Sequence, residues 1–182
     1  MPSSTDPDPR AVILVEGASD QRAVETLAKR RGRDLVAERV SVVAMGGITN
    51  LRRHLVASTG AGAIVTVLFD VAERAHVRRT LDRLGSDALV FGCDRDLEDE
   101  LIRALGVPVV TQVIEANGDL ASWRTLLRQP FHRERLETEV LRRFLGTTSG
   151  RKIAYAGLLV EALDLARVPG PLDGVLATTV PS

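Results

Sequence analysis

Ala11-Val-Ile-Leu-Val15 is an unbroken apolar run of strand length. It leads through Glu16-Gly17-Ala18-Ser19 into a segment whose apolar residues, Ala23, Val24, Leu27 and Ala28, recur at helical spacing and stop before Gly32. The same rhythm then repeats. Val40–Ala44 is followed by Gly46-Gly47 and a helical pattern carrying Leu51 and Leu55. Ala63–Phe69 precedes a pattern with Val77 and Leu81, and Ala88–Phe91 one with Leu97, Leu101, Ile102 and Leu105. Val107–Thr111 reads as a fifth strand. Strands apolar on both faces, alternating with amphipathic helices, predict an α/β unit built on a parallel sheet covered on both sides.

After residue 112 the period becomes helical throughout, with stripes at Leu120 to Leu127, at Leu136, Val140, Leu141 and Phe144, and at Tyr155, Leu158, Leu159, Ala162 and Leu163. The expected organisation is a Pro/Ser/Asp tail at 1–9 that is disordered, an α/β domain at 10–112, and a helical extension at 113–182. A unit of about 70 residues seldom buries enough surface to fold alone, so the extension is expected to pack on the first unit.

Ligands of open α/β sheets bind beyond the carboxyl ends of the strands, so the polar residues at those ends matter most. Glu16 follows the first strand, with Asp20 one turn on. Asp70 follows the third, with Glu73 close behind, and Asp94, Asp96 and Glu98 follow the fourth. Asp20, Asp96 and Glu98 also suit helix N-termini as capping or first-turn residues. Glu16 and Asp70 resist that reading, because each ends an apolar strand where an unpartnered charge is costly. Carboxylates converging from three junctions repel one another unless a cation sits among them, and hard oxygen ligands suit Mg²⁺ or Mn²⁺.

Composition narrows the field. Of 182 residues, 24 are Lys or Arg and 24 Asp or Glu, so no net charge advertises a polyanion partner, and 45% are hydrophobic, enough for a core. Aromatics at 3% argue against the stacking platforms of RRM or OB folds. A single cysteine, Cys93, excludes a disulfide framework and a multi-cysteine zinc site. The expected location is the cytoplasm, with no membrane partner, since there is neither a signal-peptide pattern nor an apolar run of spanning length. Lys152 follows Arg151 at the start of a helical pattern, where cations and free N–H groups together can hold an anion; a solvated basic pair is the alternative.

Val15-Glu16-Gly17-Ala18-Ser19-Asp20, Gly46-Gly47-Ile48-Thr49-Asn50, Leu68-Phe69-Asp70 and Asp96-Leu97-Glu98 together resemble a Toprim domain. This Rossmann-like fold is shared by type IA and type II topoisomerases, bacterial primases and several nucleases. The Glu-x-x-x-Asp and Asp-x-Glu versions resemble the nuclease domain of the OLD (overcoming lysogenization defect) family, over roughly residues 11–112. The resemblance implies metal-dependent phosphodiester hydrolysis of DNA or RNA by a two-metal mechanism. It makes Glu16, Asp20, Asp70, Glu73, Asp96 and Glu98 the metal ligands for one or two Mg²⁺ or Mn²⁺ ions. Glu16 and Lys152 become catalytic residues, and Gly17, Gly46, Gly47 and Arg151 the phosphate contacts.

Two departures stand out. The third motif, Asp-x-Asp in that family, reads Asp70-Val71-Ala72, with Glu73 one residue late. The family's ATPase domain has no counterpart: Gly146 to Lys152 has the wrong spacing for a Walker A loop, so no ATP is expected, and a separate ATPase or other protein is a candidate partner. The sole tyrosine, Tyr155, lies on an apolar stripe, which argues against topoisomerase chemistry. The alternative function is a catalytically weakened Toprim module that binds metal, nucleic acid or a partner protein. A phospho-acceptor receiver domain with Asp70 as acceptor shares the strand-end carboxylates but leaves Glu16 and the helical extension without a role.

Overall fold

A computed structural model describes residues 8–59, 62–132 and 135–180; the tail expected at 1–9 lies outside them apart from Asp8 and Pro9. Four parallel strands, β1 (Ala11–Val15), β2 (Val40–Ala44), β3 (Ile64–Asp70) and β4 (Leu89–Cys93), form one sheet in the order β2-β1-β3-β4. The strand order reverses between β1 and β3, so a crevice opens beyond the carboxyl ends of these two strands. Glu16 and Asp70 flank it.

Alternate residues of β1 feed separate cores. Ala11, Ile13 and Val15 pack with α1 (Ala18–Arg30), while Val12 and Leu14 pack with Leu51 and Leu55 of α2 (Leu51–Thr59) and Val77 of α3 (Arg74–Leu84). This is the two-faced burial that unbroken apolar strands predict.

The remaining helices are α4 (Leu97–Leu105), α5 (Val107–Ala116), α6 (Leu120–Leu127), α7 (Glu137–Leu145), α8 (Ser149–Ala162) and α9 (Gly170–Ala177). The fifth strand expected at Val107–Thr111 is instead the start of α5. Gly106, at φ 76°, separates it from α4, and Pro108 stands in its first turn, where a missing N–H costs nothing. Val110 and Ile114, four residues apart, are its buried face. The break placed after residue 112 falls within this helix.

The first hydrophobic core continues without interruption into Trp123, Phe144, Tyr155, Leu159 and Leu176, so α6 to α9 pack against the sheet unit. α8 lies along α1, and α9 covers β3 and β4 on the same face as α1. Two arginines fasten this docking. Arg30 donates to the carbonyls of Val160 (2.8 Å) and Leu163 (2.7 Å) at the end of α8, and Arg33 donates to Leu176 (2.7 Å) in α9. Cations at helix C-termini satisfy carbonyls left without intrahelical partners. Among the described residues no helix is long and apolar enough to cross a membrane.

Candidate functional site

Glu16, Gly17, Ser19, Asp20, Gly47, Asp70, Asp96, Glu98 and Lys152 line a single cleft of about 230 Å³ beyond the carboxyl edge of the sheet. Five carboxylates from three strand–helix junctions thus share one space with one ammonium. Three of them, Glu16, Asp20 and Asp96, accept from backbone N–H groups. The Asp70 N–H donates to Glu16 Oε1 at 3.1 Å, tying the ends of the adjacent strands β1 and β3 together. Asp20 Oδ2 accepts from the Gly17 N–H at 3.0 Å, and Asp96 Oδ1 accepts from the Asp99 N–H at 2.8 Å as the N-cap of α4. Asp20 and Asp96 therefore serve helix termini and face the cleft at once. Gly46 and Gly47 turn the chain after β2 at φ 71° and 113°, values that disfavour any side chain, and the Gly47 N–H donates to the Glu16 carbonyl at 3.0 Å.

Lys152 reaches in from α8, its Nζ 3.4 Å from Glu98 Oε2. Burial works against its charge, but Glu98 and Asp20 outweigh that and hold its pKa above the ordinary lysine value. Glu98 is itself buried, which raises its pKa despite the lysine. Burial, then the charge of Glu98, pushes Asp20 up to about 6. Burial, then Glu16 and Asp20, pushes Asp70 up to about 7. The cleft is an arrangement of anions held together against their own repulsion.

Three residues that the resemblance nominates lie outside this lining. Glu73 ends the short turn after β3 at the N-cap position of α3, and Ala72 beside it is exposed. Gly46 shapes the loop without lining the cleft. Arg151 turns the other way, donating to Asp119 Oδ1 at 3.3 Å with its guanidinium 4.5 Å from the centre of the Phe144 ring. Tyr155 and Trp123 are core residues, as their apolar stripes predict; the Tyr155 hydroxyl donates to Asp119 Oδ2 at 2.8 Å. Cys93 is buried, and burial pushes its thiol pKa up, leaving it inert.

One contact escaped sequence reasoning. Arg142 of α7 donates through Nε to Asp96 Oδ2 at 2.5 Å. Its only sequence signal was the polar face of α7, Arg142-Arg143 opposite Val140, Leu141 and Phe144, which says nothing about a partner 46 positions away.

The donor set is all oxygen, anionic and mutually repulsive, which fits a hard divalent cation and disfavours a soft one. Among the described residues no three His, Cys, Asp or Glu side chains are already gathered closely enough to chelate an ion, so the carboxylates face a common space rather than a common point.

The sheet is parallel, in the order 2-1-3-4, with acids gathered at its switch point. Residues 9–71 match the family described as overcoming lysogenization defect protein-like, TOPRIM domain. Its fold is similar to that of the C-terminal region of the Burkholderia pseudomallei OLD protein, with a TM-score of 0.68 and 23% identity over 94% of this chain and 96% of that one. The C-terminal region of the Xanthomonas campestris pv. campestris OLD protein is similar at a TM-score of 0.67 and 19% identity, over 94% of each chain. At these identities the likeness establishes the fold, including the helices beyond the sheet. Compared with curated proteins, the sequence matches none.

Proposed function

We propose that the protein hydrolyses phosphodiester bonds of nucleic acid at the carboxylate cleft, using Mg²⁺ or Mn²⁺, in the cytoplasm, where its single cysteine stays reduced. The observation that carries this reading is the meeting of Glu16, Asp20, Asp70, Asp96 and Glu98 with Lys152 in one cleft. Glu16, Asp20 and Asp70 would hold one cation, and Asp96 and Glu98 a second. A divalent cation bound there supplies charge stabilisation for in-line displacement at phosphorus.

The chain's own residues do the rest. Glu16 is locked by the Asp70 N–H, so its remaining carboxylate oxygen points a lone pair at a fixed place. Lys152, charged throughout the neutral range, sets a positive charge beside Glu98 where a phosphate oxygen becomes more negative in the transition state. Gly17 and Gly47 keep the floor of the cleft free of side chains, allowing close approach of a phosphate. Arg142 withdraws charge from Asp96 until a ligand competes for it.

The test is cleavage of labelled single- and double-stranded DNA and RNA in Mg²⁺ and in Mn²⁺. The expected result is metal-dependent cleavage that Glu16→Gln and Lys152→Met each reduce by about a hundredfold or more. Metal-independent cleavage, or full activity in Glu16→Gln, would overturn the reading. A second reading, a Toprim module that binds metal, nucleic acid or a partner such as a separate ATPase without cleaving, is favoured by one feature: Ala72 and Glu73 leave the third motif with one carboxylate in the cleft. It wins if the wild-type protein binds metal and cleaves nothing.

A further inference from the structure

A second, larger trough of about 520 Å³ adjoins the cleft and shares Asp96, Glu98 and Lys152 with it. Its other walls are mostly arginine: Arg95 just before α4, Arg142 and Arg143 on α7, and Arg135 just before α7. Five cations therefore line it against three carboxylates, two of which belong to the cleft itself, in a chain whose net charge is zero. Self-pairing accounts for only part of this. Arg142 sits on Asp96, and Arg95 lies 3.8 Å from both Asp99 and Glu139. Among the described residues, Arg135 and Arg143 have no ion-pair partner. Both instead lie against one ring, their guanidinium carbons 4.2 and 5.4 Å from the centroid of Phe131.

Phe131 is 60% exposed. Trp123, Tyr155 and Phe144 of the same helical region are all buried. A cationic groove that ends at candidate phosphodiesterase carboxylates, with one exposed aromatic beside it against Arg135 and Arg143, matches the chemistry of an unpaired polynucleotide, phosphates along the arginines and a base on the ring. A duplex keeps its bases stacked inside and offers the ring nothing.

We propose that this trough is the entry path for an unpaired nucleic-acid strand, with Arg142, Arg143 and Arg95 taking its phosphates and Phe131 stacking one base. The inference rests on the cleft being a phosphodiesterase site and specifies what that site is fed. The few aromatics in the chain forbid a platform of several stacked bases but leave room for one.

The experiment is fluorescence anisotropy in chelator with labelled oligodeoxythymidylate and oligouridylate of about 12 nucleotides, and a blunt DNA duplex of the same length. The expected result is that at least one of the single strands binds about fivefold or more tighter than the duplex. Phe131→Ala weakens that binding about tenfold and leaves duplex binding unchanged, whereas Phe131→Trp retains it. Arg143→Ala lowers the slope of log affinity against log salt by roughly 0.7. An unchanged single-strand affinity in Phe131→Ala, duplex binding as tight as strand binding, or no binding to any of the three would overturn the proposal. Phe131 is exposed, so its truncation leaves the core intact, and Phe131→Trp controls for misfolding. Because the assay involves neither metal nor cleavage, a protein that binds strands through Phe131 yet cuts nothing overturns only the nuclease reading. One that cuts but binds equally well without Phe131 overturns only this one.

Discussion

Glu16 and Asp70 show how a residue's place in a strand can disclose its role. A charge at the end of an apolar run is costly without a partner, and both carboxylates line one cleft, where that of Glu16 accepts from the Asp70 backbone N–H. Asp20, Asp96 and Glu98 were legible by the same rule, although capping explained the first two equally well; the structure gives both residues both tasks. Arg142 was illegible because its partner is fixed by tertiary packing of α7, which no local pattern encodes. Arg151 misled for the converse reason: it neighbours Lys152 in sequence, but adjacent positions on a helix point about 100° apart. Ala72 allows a sharp test. Its side chain is exposed and outside the cleft, so Ala72→Asp contributes screened surface charge rather than coordination. Mn²⁺ affinity measured by calorimetry is expected to rise by less than about threefold; a gain of tenfold or more would place position 72 among the ligands.

At the scale of elements, the apolar rhythm specified four strands and the helices that cover them, most clearly in β1 and β3, where burial on both faces leaves no polar position to alternate. It failed at Val107–Thr111, where β-branched residues mimic a strand and Pro108 in a helical first turn is the decisive signal. The docking of α8 on α1 was legible only as an expectation that the extension could not stand alone. Its chemistry is the Arg30 guanidinium on the Val160 and Leu163 carbonyls. Arg30→Met keeps the aliphatic stem and removes both charge-assisted bonds. It is expected to lower unfolding free energy by about 1.5–3 kcal/mol in urea titrations, and, because α8 carries Lys152, to reduce cleavage by more than that destabilisation alone predicts. Unchanged stability would show that apolar packing holds α8 without the arginine.

For the whole molecule, the cleft stores electrostatic repulsion that a divalent cation would relieve. Asp70, pushed up to about 7, and Asp20, pushed up to about 6, bind protons more tightly folded than unfolded. Above the ordinary carboxylate range, folding therefore takes up protons, and the stability of the metal-free protein falls as pH rises to about 7. His132, whose pKa burial lowers, acts oppositely below about 6.5, so above about 6.5 the acids of the cleft, Asp70 with Asp20 and the buried Glu98, set the trend. The lowered pKa values of Glu38 and Asp119 matter only at more acid pH. In chelator at about pH 8, Asp70→Asn is expected to be more stable than the wild-type protein by denaturant titration, with the difference shrinking as pH falls and vanishing only toward about pH 4, the ordinary carboxylate value. Equal stability at both pH values would mean that Asp70 feels no repulsion. The claim on which all of this turns is that the gathered carboxylates form a divalent-metal site, and calorimetric titration of the metal-free protein with Mn²⁺ near pH 7 tests it most directly. Saturable binding is expected that releases protons, seen as heats that vary with the ionisation enthalpy of the buffer, and that falls at least tenfold in Glu16→Gln. Binding that is absent, or that Glu16→Gln leaves untouched, would contradict it.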